Sequence, residues 1–122
     1  MLDAAGATRI IRDDPMTEQK KTRRQILEEF VAKKPDDTFS RYGLAMECMN
    51  NGDPAAADTH FRELLDRNAD YIPAYLMYGQ LLARESRTSE AKQILSNGIA
   101  AAAKKGDQHA RSEMEALLNE LT

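Results

Sequence analysis

Residues 44–61 read LAMECMNNGDPAAADTHF, and residues 78–95 read YGQLLARESRTSEAKQIL. Laid over one another, 34 residues apart, the two stretches share few identities but keep residue size and polarity in register. Leu44 falls on Tyr78, Ala45 on Gly79, Cys48 on Leu82, Ala57 on Ala91 and Phe61 on Leu95. Further out, Asp36 falls on Asp70 and Leu65 on Ile99. Small residues at 45/79 and 57/91 let two helices approach closely, and the large ones fill the space between. A fixed period of this length marks stacked helical units, each burying its apolar face only against its neighbours.

The flanking sequence reads as helix throughout. Ile26, Leu27, Phe30 and Val31 recur at helical spacing up to Lys33-Lys34-Pro35. A helix after Asp36-Asp37 runs to Asn50-Asn51-Gly52, and Asp53-Pro54 launches the next with a cap and a first-turn proline. Asp70 is expected to cap the helix carrying Tyr75, Tyr78, Leu81 and Leu82, which breaks near Arg87-Thr88. Another helix runs through Ala91, Leu95 and Ala100–Ala103 to Gly106, and a last one follows Asp107 with Met114, Leu117, Leu118 and Leu121 on one stripe. No stretch alternates with the period of a strand, so the fold is expected to be all-α.

These residues resemble the tetratricopeptide repeat family, whose pattern is W-x2-L-G-x2-Y…A-x3-F…P. The first copy matches as Leu44-Ala45-x2-Cys48…Ala57-x3-Phe61, the second as Tyr75-x2-Tyr78-Gly79-x2-Leu82…Ala91-x3-Leu95. Arg41 stands where the family prefers Trp, and Ala69 where it prefers Pro. The resemblance implies a short right-handed α-solenoid of antiparallel helix pairs. Residues 17–34 would be the second half of a repeat, 36–69 and 70–104 two repeats, and 107–122 a solvating cap. Thr17 is expected to cap the first helix. Residues 1–15, ending in Asp13-Asp14-Pro15 before Met16, are read as a disordered or mis-annotated extension.

In that family the first helix of each repeat lines a concave groove that receives a peptide or a partner helix. The resemblance places Phe39, Tyr42, Met46 and Met49 there, followed by Leu76, Gln80 and Arg84. The steps of three or four between 39, 42, 46 and 49 make one helical stripe. Methionines adapt to varied apolar ligands, so Met46 and Met49 fit a permissive binding surface, and the resemblance implies a protein–protein interaction module of adaptor or scaffold type. The alternative is a structural homodimer that uses the same face for self-association. Relatives that grip a C-terminal carboxylate use paired Lys and Asn side chains; Tyr42 and Met46 occupy the matching places here, so that clamp is not expected.

Composition sets the remaining bounds. The 122 residues, 42% hydrophobic and 30% charged with net charge −3, suit one globular domain. An acidic pI near 5.4 counts against nucleic acid as partner. Lys20, Lys21, Arg23 and Arg24 form a basic cluster, but Glu28 and Glu29 dilute it and no aromatic platform accompanies it. No apolar run is long enough for a membrane span. The single cysteine, Cys48, has no internal disulfide partner, suits a reducing cytoplasm and reads as an inert core thiol. His60 and His109 stand in no metal-ligand spacing with it, so no metal, cofactor or catalytic role is expected.

Overall fold

The computed structural model describes residues 20–122; the proposed extension and Thr17 lie outside the described residues. Within them the chain forms six helices: α1 (Arg23–Lys33), α2 (Thr38–Asn50), α3 (Pro54–Arg67), α4 (Ile72–Arg84), α5 (Thr88–Lys105) and α6 (Gln108–Glu120). Four starts carry their own chemistry. At α1 the Thr22 side chain accepts from the Gln25 N–H while Gln25 accepts from the Thr22 N–H, a reciprocal capping box. That box, rather than Thr17, fixes where α1 begins. Asp37, Asp53 and Asp107 each accept from a backbone N–H three residues on, capping α2, α3 and α6. Asp70 does not cap α4. The cap residue is Tyr71, without a side-chain bond, and Pro73 sits in the first turn, where a missing N–H costs nothing.

Three helix ends are built alike. Gly52 (φ 75°), Ser86 (φ 62°) and Gly106 (φ 74°) adopt the left-handed conformation just past α2, α4 and α5. The next residue's N–H then reaches back to a carbonyl of the last turn: Asp53 to Cys48, Arg87 to Leu82 and Asp107 to Ala102, at 2.8–2.9 Å. Ser86 lies 34 residues after Gly52, so the repeat extends to its turn geometry.

The helices stack in two layers. α2, α4 and α6 touch in sequence, whereas α1, α3 and α5 touch only helices of the first layer. An inner row whose helices touch, under outer helices that do not approach one another, gives a curved solenoid with α2, α4 and α6 inside the curve. The core runs between the layers. Phe61 (0% exposed) lies parallel to Tyr78 at 5.5 Å, with Leu44, Leu64 and Leu82 alongside. Ala45, Ala57 and Ala91 are fully buried, as the close approach requires. Leu95 and Met114 anchor a second cluster that seals α6 onto α4 and α5. Truncating a buried Phe such as Phe61 to Ala costs about 3–5 kcal/mol, so each layer contact matters to a chain this size.

Candidate functional site

The rows carrying Leu44, Ala45 and Cys48 point inward, each 0–1% exposed, which leaves the other stripe of α2 to face the inside of the curve. There Phe39 is 74% exposed, while Tyr42, Met46 and Met49 are half-buried against the core. Tyr42 is held in place by its neighbours: its ring meets Phe61 edge-on at 6.4 Å and Tyr71 at 5.3 Å. Burial pushes its hydroxyl's pKa up, so the ring stays neutral. Phe39, Tyr42 and Met46 line one cavity of about 440 Å³ with Arg23, Gly43, Glu47 and Asn50. Its polar edge is set by an Arg23–Glu47 ion pair at 3.2 Å. Leu76 and Gln80 are half-buried and Arg84 is exposed, all on neighbouring α4 rather than in that cavity. Leu76 packs on the α4–α6 cluster. The described residues thus gather three of the seven expected groove residues in one depression and set the rest on its α4 side or against the core.

Two features were not read from the sequence. A second depression of about 490 Å³ opens on the outer face between α3 and α5, floored by Leu65, Tyr75, Tyr78 and Ile94 and rimmed by Arg62 and Glu90. It exists because the outer helices do not touch one another. Beside it lies a buried carboxylate. Asp58, 9% exposed, accepts from Tyr78 Oη at 2.5 Å and from Arg62 Nη2 at 2.7 Å, and Arg87 Nη1 stands 3.2 Å away. These groups come from α3, α4 and the α4–α5 turn, so the cluster fastens one repeat to the next. Asp58 could have been singled out as an acid on the buried face of an amphipathic helix, where an unpaired charge is costly.

The basic cluster meets its own acids. Lys21 pairs with Glu29 at 2.5 Å, Arg24 with Glu28 at 3.1 Å and Asp53 at 3.0 Å, and Arg23 with Glu47. Cys48 is fully buried and desolvation raises its thiol's pKa, opposite to what a reactive thiolate needs. His60 is half-buried and its Nδ1 has no hydrogen-bond partner. Burial first, then Arg41 and Arg24, lower its pKa. Among the described residues no three His, Cys, Asp or Glu converge as a metal site, and no helix is long and apolar enough to cross a membrane.

Antiparallel helix pairs in two layers, repeated at a fixed period and presenting an apolar inner face, define a helical-repeat protein. Residues 49–119 match the tetratricopeptide repeat family model, and the chain belongs to that family. A TPR repeat-containing protein of Pseudomonas aeruginosa is 28% identical over 95 residues, 78% of this chain and 90% of its own length. Among solved structures, a tetratricopeptide repeat domain protein from Salinibacter ruber superposes with a TM-score of 0.69 at 32% identity, covering 72% of this chain and 89% of that one. A protein from Bordetella parapertussis superposes with a TM-score of 0.72 at 27% identity, covering 84% and 89%. The family's fold generally mediates protein–protein interaction, and its members are generally scaffolds rather than enzymes.

Proposed function

We propose that this chain is an adaptor or scaffold module whose inner face takes up an apolar peptide stripe or a helix from a partner protein. Phe39, Tyr42, Met46 and Met49 would bury the stripe with Leu76, while Gln80 and Arg84 fix its orientation. The observation that carries this reading is Phe39: a phenylalanine 74% exposed, beside a tyrosine and a methionine that are held by the core rather than free to collapse over it. An aromatic left open on a rigid frame costs little to order on binding, which favours a preformed site. A face of this size supports transient binding, roughly micromolar. The buried lone thiol of Cys48 suits a reducing cytoplasm as the setting.

The test is capture from the source organism's lysate by wild type and by Met46→Glu, with helix content compared by circular dichroism. Met46→Glu is expected to keep its helix signal and lose the partner; equal capture by both refutes the assignment. The same open Phe39 supports homodimerisation as the second reading. Light scattering across a dilution series separates the two: a mass that halves on dilution, and stays halved in Met46→Glu, makes the face a self-association surface.

A further inference from the structure

The outer layer holds a depression that no part of the proposed peptide groove uses. Its floor is aromatic and fixed. Tyr78 lies parallel to Phe61 at 5.5 Å and donates its hydroxyl to Asp58, while Tyr75 donates its own to the Ala69 carbonyl at 2.6 Å. Rings held at both faces and tips do not swing out to close the space, so the cavity of about 490 Å³ between α3 and α5 is preformed. Leu65 and Ile94, both half-buried, add apolar walls. The volume falls in the range of pockets that take compact groups, enough for one long side chain and an apolar neighbour.

The rim is polar, and its charges do not balance. Arg62 gives Nη2 to Asp58 at 2.7 Å. Arg87 stands 3.2 Å from Asp58 and holds both oxygens of Glu90, at 2.6 and 2.9 Å. Two guanidiniums therefore face two carboxylates. Asp66, one turn beyond Arg62 on α3, is a third carboxylate. Arg67 beside it is committed to Glu63 and Asp36, and Lys105, farther along α5, gives its ammonium to the Asp70 carbonyl at 3.4 Å. Among the described residues Asp66 has no ion pair. On the α5 side, Gln93 donates its amide to Asn97 at 3.0 Å, which leaves the Gln93 side-chain carbonyl as a further acceptor. The depression thus carries one negative charge in excess above an apolar floor.

Stacking of repeats does not by itself produce this chemistry. One period upstream, between α1 and α3, Arg41 stands for Tyr75, His60 for Ile94 and Ala32 for Asp66. Arg41 is a cation whose buried Nε lacks an acceptor, so that gap disfavours a second cation. Among the described residues, the combination of tyrosine floor and open carboxylate belongs to the α3–α5 junction.

We propose that this depression is a second docking site, which takes a lysine and its apolar neighbour from an extended segment of a partner protein. The aliphatic stem lies along Tyr75 and Tyr78, the ammonium reaches Asp66 and the Gln93 carbonyl, and the neighbour packs on Leu65 and Ile94. Lysine suits such a place because its stem buries against apolar surface while its head stays wet, and a cation beside a tyrosine ring gains further. A carboxylate would meet Asp66 and find both guanidiniums already paired. The site lies on the opposite side of the solenoid from Phe39 and does not depend on the inner face being a groove.

The test titrates the isotope-labelled full chain with the capped tripeptide acetyl-Leu-Lys-Phe-amide and follows it by NMR. Saturable shifts at Asp66, Tyr75, Gln93 and Ile94 are expected, with a dissociation constant of roughly a millimolar. Asp66→Asn changes an exposed residue outside the core and should weaken binding about threefold, as should added salt. Glu120→Gln, the same change of charge on α6, should leave it unaltered. The tripeptide with Glu in place of Lys should give no saturable shift. Equal binding of the Glu peptide, equal affinity in Asp66→Asn, or no shift in the depression would overturn the proposal. Butylamine acting alone as well as the peptide would overturn a partner segment as the occupant. Shifts confined to Phe39, Tyr42 and Met46 would overturn this site while leaving the inner-face groove standing.

Discussion

Gly98 is the position where the solenoid leaves least room, and Gly98→Ala measures how literally the packing holds. A Cβ there would stand 2.5 Å from Met114 Sδ and 2.5 Å from Tyr75 Cβ. The methionine sulfur can swing aside, but Tyr75 Cβ is fixed to the α4 backbone, so α4 and α5 must part. Overpacking of this kind costs about 1–3 kcal/mol, and more where backbone must move. Alanine's helix preference returns about 1 kcal/mol. With Tyr75 Cβ unable to give way the cost falls at the upper end, about 2–3 kcal/mol, so the net expectation is a loss of about 1–2 kcal/mol, or a melting temperature about 4–15 °C lower for a domain near 100 residues. Gly43→Ala is the internal control, because its Cβ would meet only Leu27 Cδ2 at 3.6 Å, an ordinary contact. With no clash to offset the helix preference, it should gain roughly 0.5–1 kcal/mol. Urea melts followed at 222 nm read both. A Gly98→Ala protein as stable as wild type, or a Gly43→Ala protein that loses as much as Gly98→Ala, would refute the close approach of α4 and α5.

Ser86→Gly should stabilise by about 0.5–1 kcal/mol, since a left-handed serine carries a steric cost that glycine avoids; an unchanged urea midpoint would count against the shared turn geometry. Tyr78→Phe should cost roughly 1–2 kcal/mol by removing the donor to Asp58. In a double-mutant cycle with Asp58→Asn the two losses should be non-additive, and simple additivity would deny their coupling. His60 sets a pH dependence. Its folded pKa lies below the unfolded value near 6.5, so its contribution is intact above that value and declines as pH falls below it, levelling off under the folded pKa. Between about pH 7.5 and about pH 5.5 the urea midpoint should fall, and His60→Gln should flatten that slope; an unaltered slope places the effect elsewhere.

How far the sequence could be read depended on whether the signal was a pattern or a geometry. Period and capping chemistry are patterns, so Asp37, Asp53-Pro54, Gly106 and Asp107 fell where the helices begin and end. Thr17 and Thr22 are both good cap residues, and what sets Thr22 apart is the Gln25 three residues on, a capping-box spacing that Thr17, with Lys20 at that place, lacks. Arg41 looked like a departure from the repeat. Its Nη2 donates to the Pro35 carbonyl at 3.1 Å, and 34 residues later Tyr75 Oη donates to the Ala69 carbonyl at 2.6 Å. Two unlike side chains fill one structural role, which no comparison of residue classes reveals. The Asp58 cluster was hidden for a related reason, since its partners Tyr78 and Arg87 lie 20 and 29 residues away. On the inner face the helical stripe was legible, but which of its members stand open was not. Exposure of Phe39 depends on what packs beside it, whereas Met49, on the same stripe, leans on the core.

The proposed binding surface is the inner face of α2 and α4. It is tested most directly by titrating isotope-labelled protein with the segment of a captured partner and following backbone and methyl resonances by NMR. Saturable shifts centred on Phe39, Tyr42, Met46, Leu76 and Gln80 are the expected result. Shifts confined to Arg62, Asp66, Glu90 and Gln93, in the outer depression between α3 and α5, would contradict it and move the binding site to the opposite side of the solenoid.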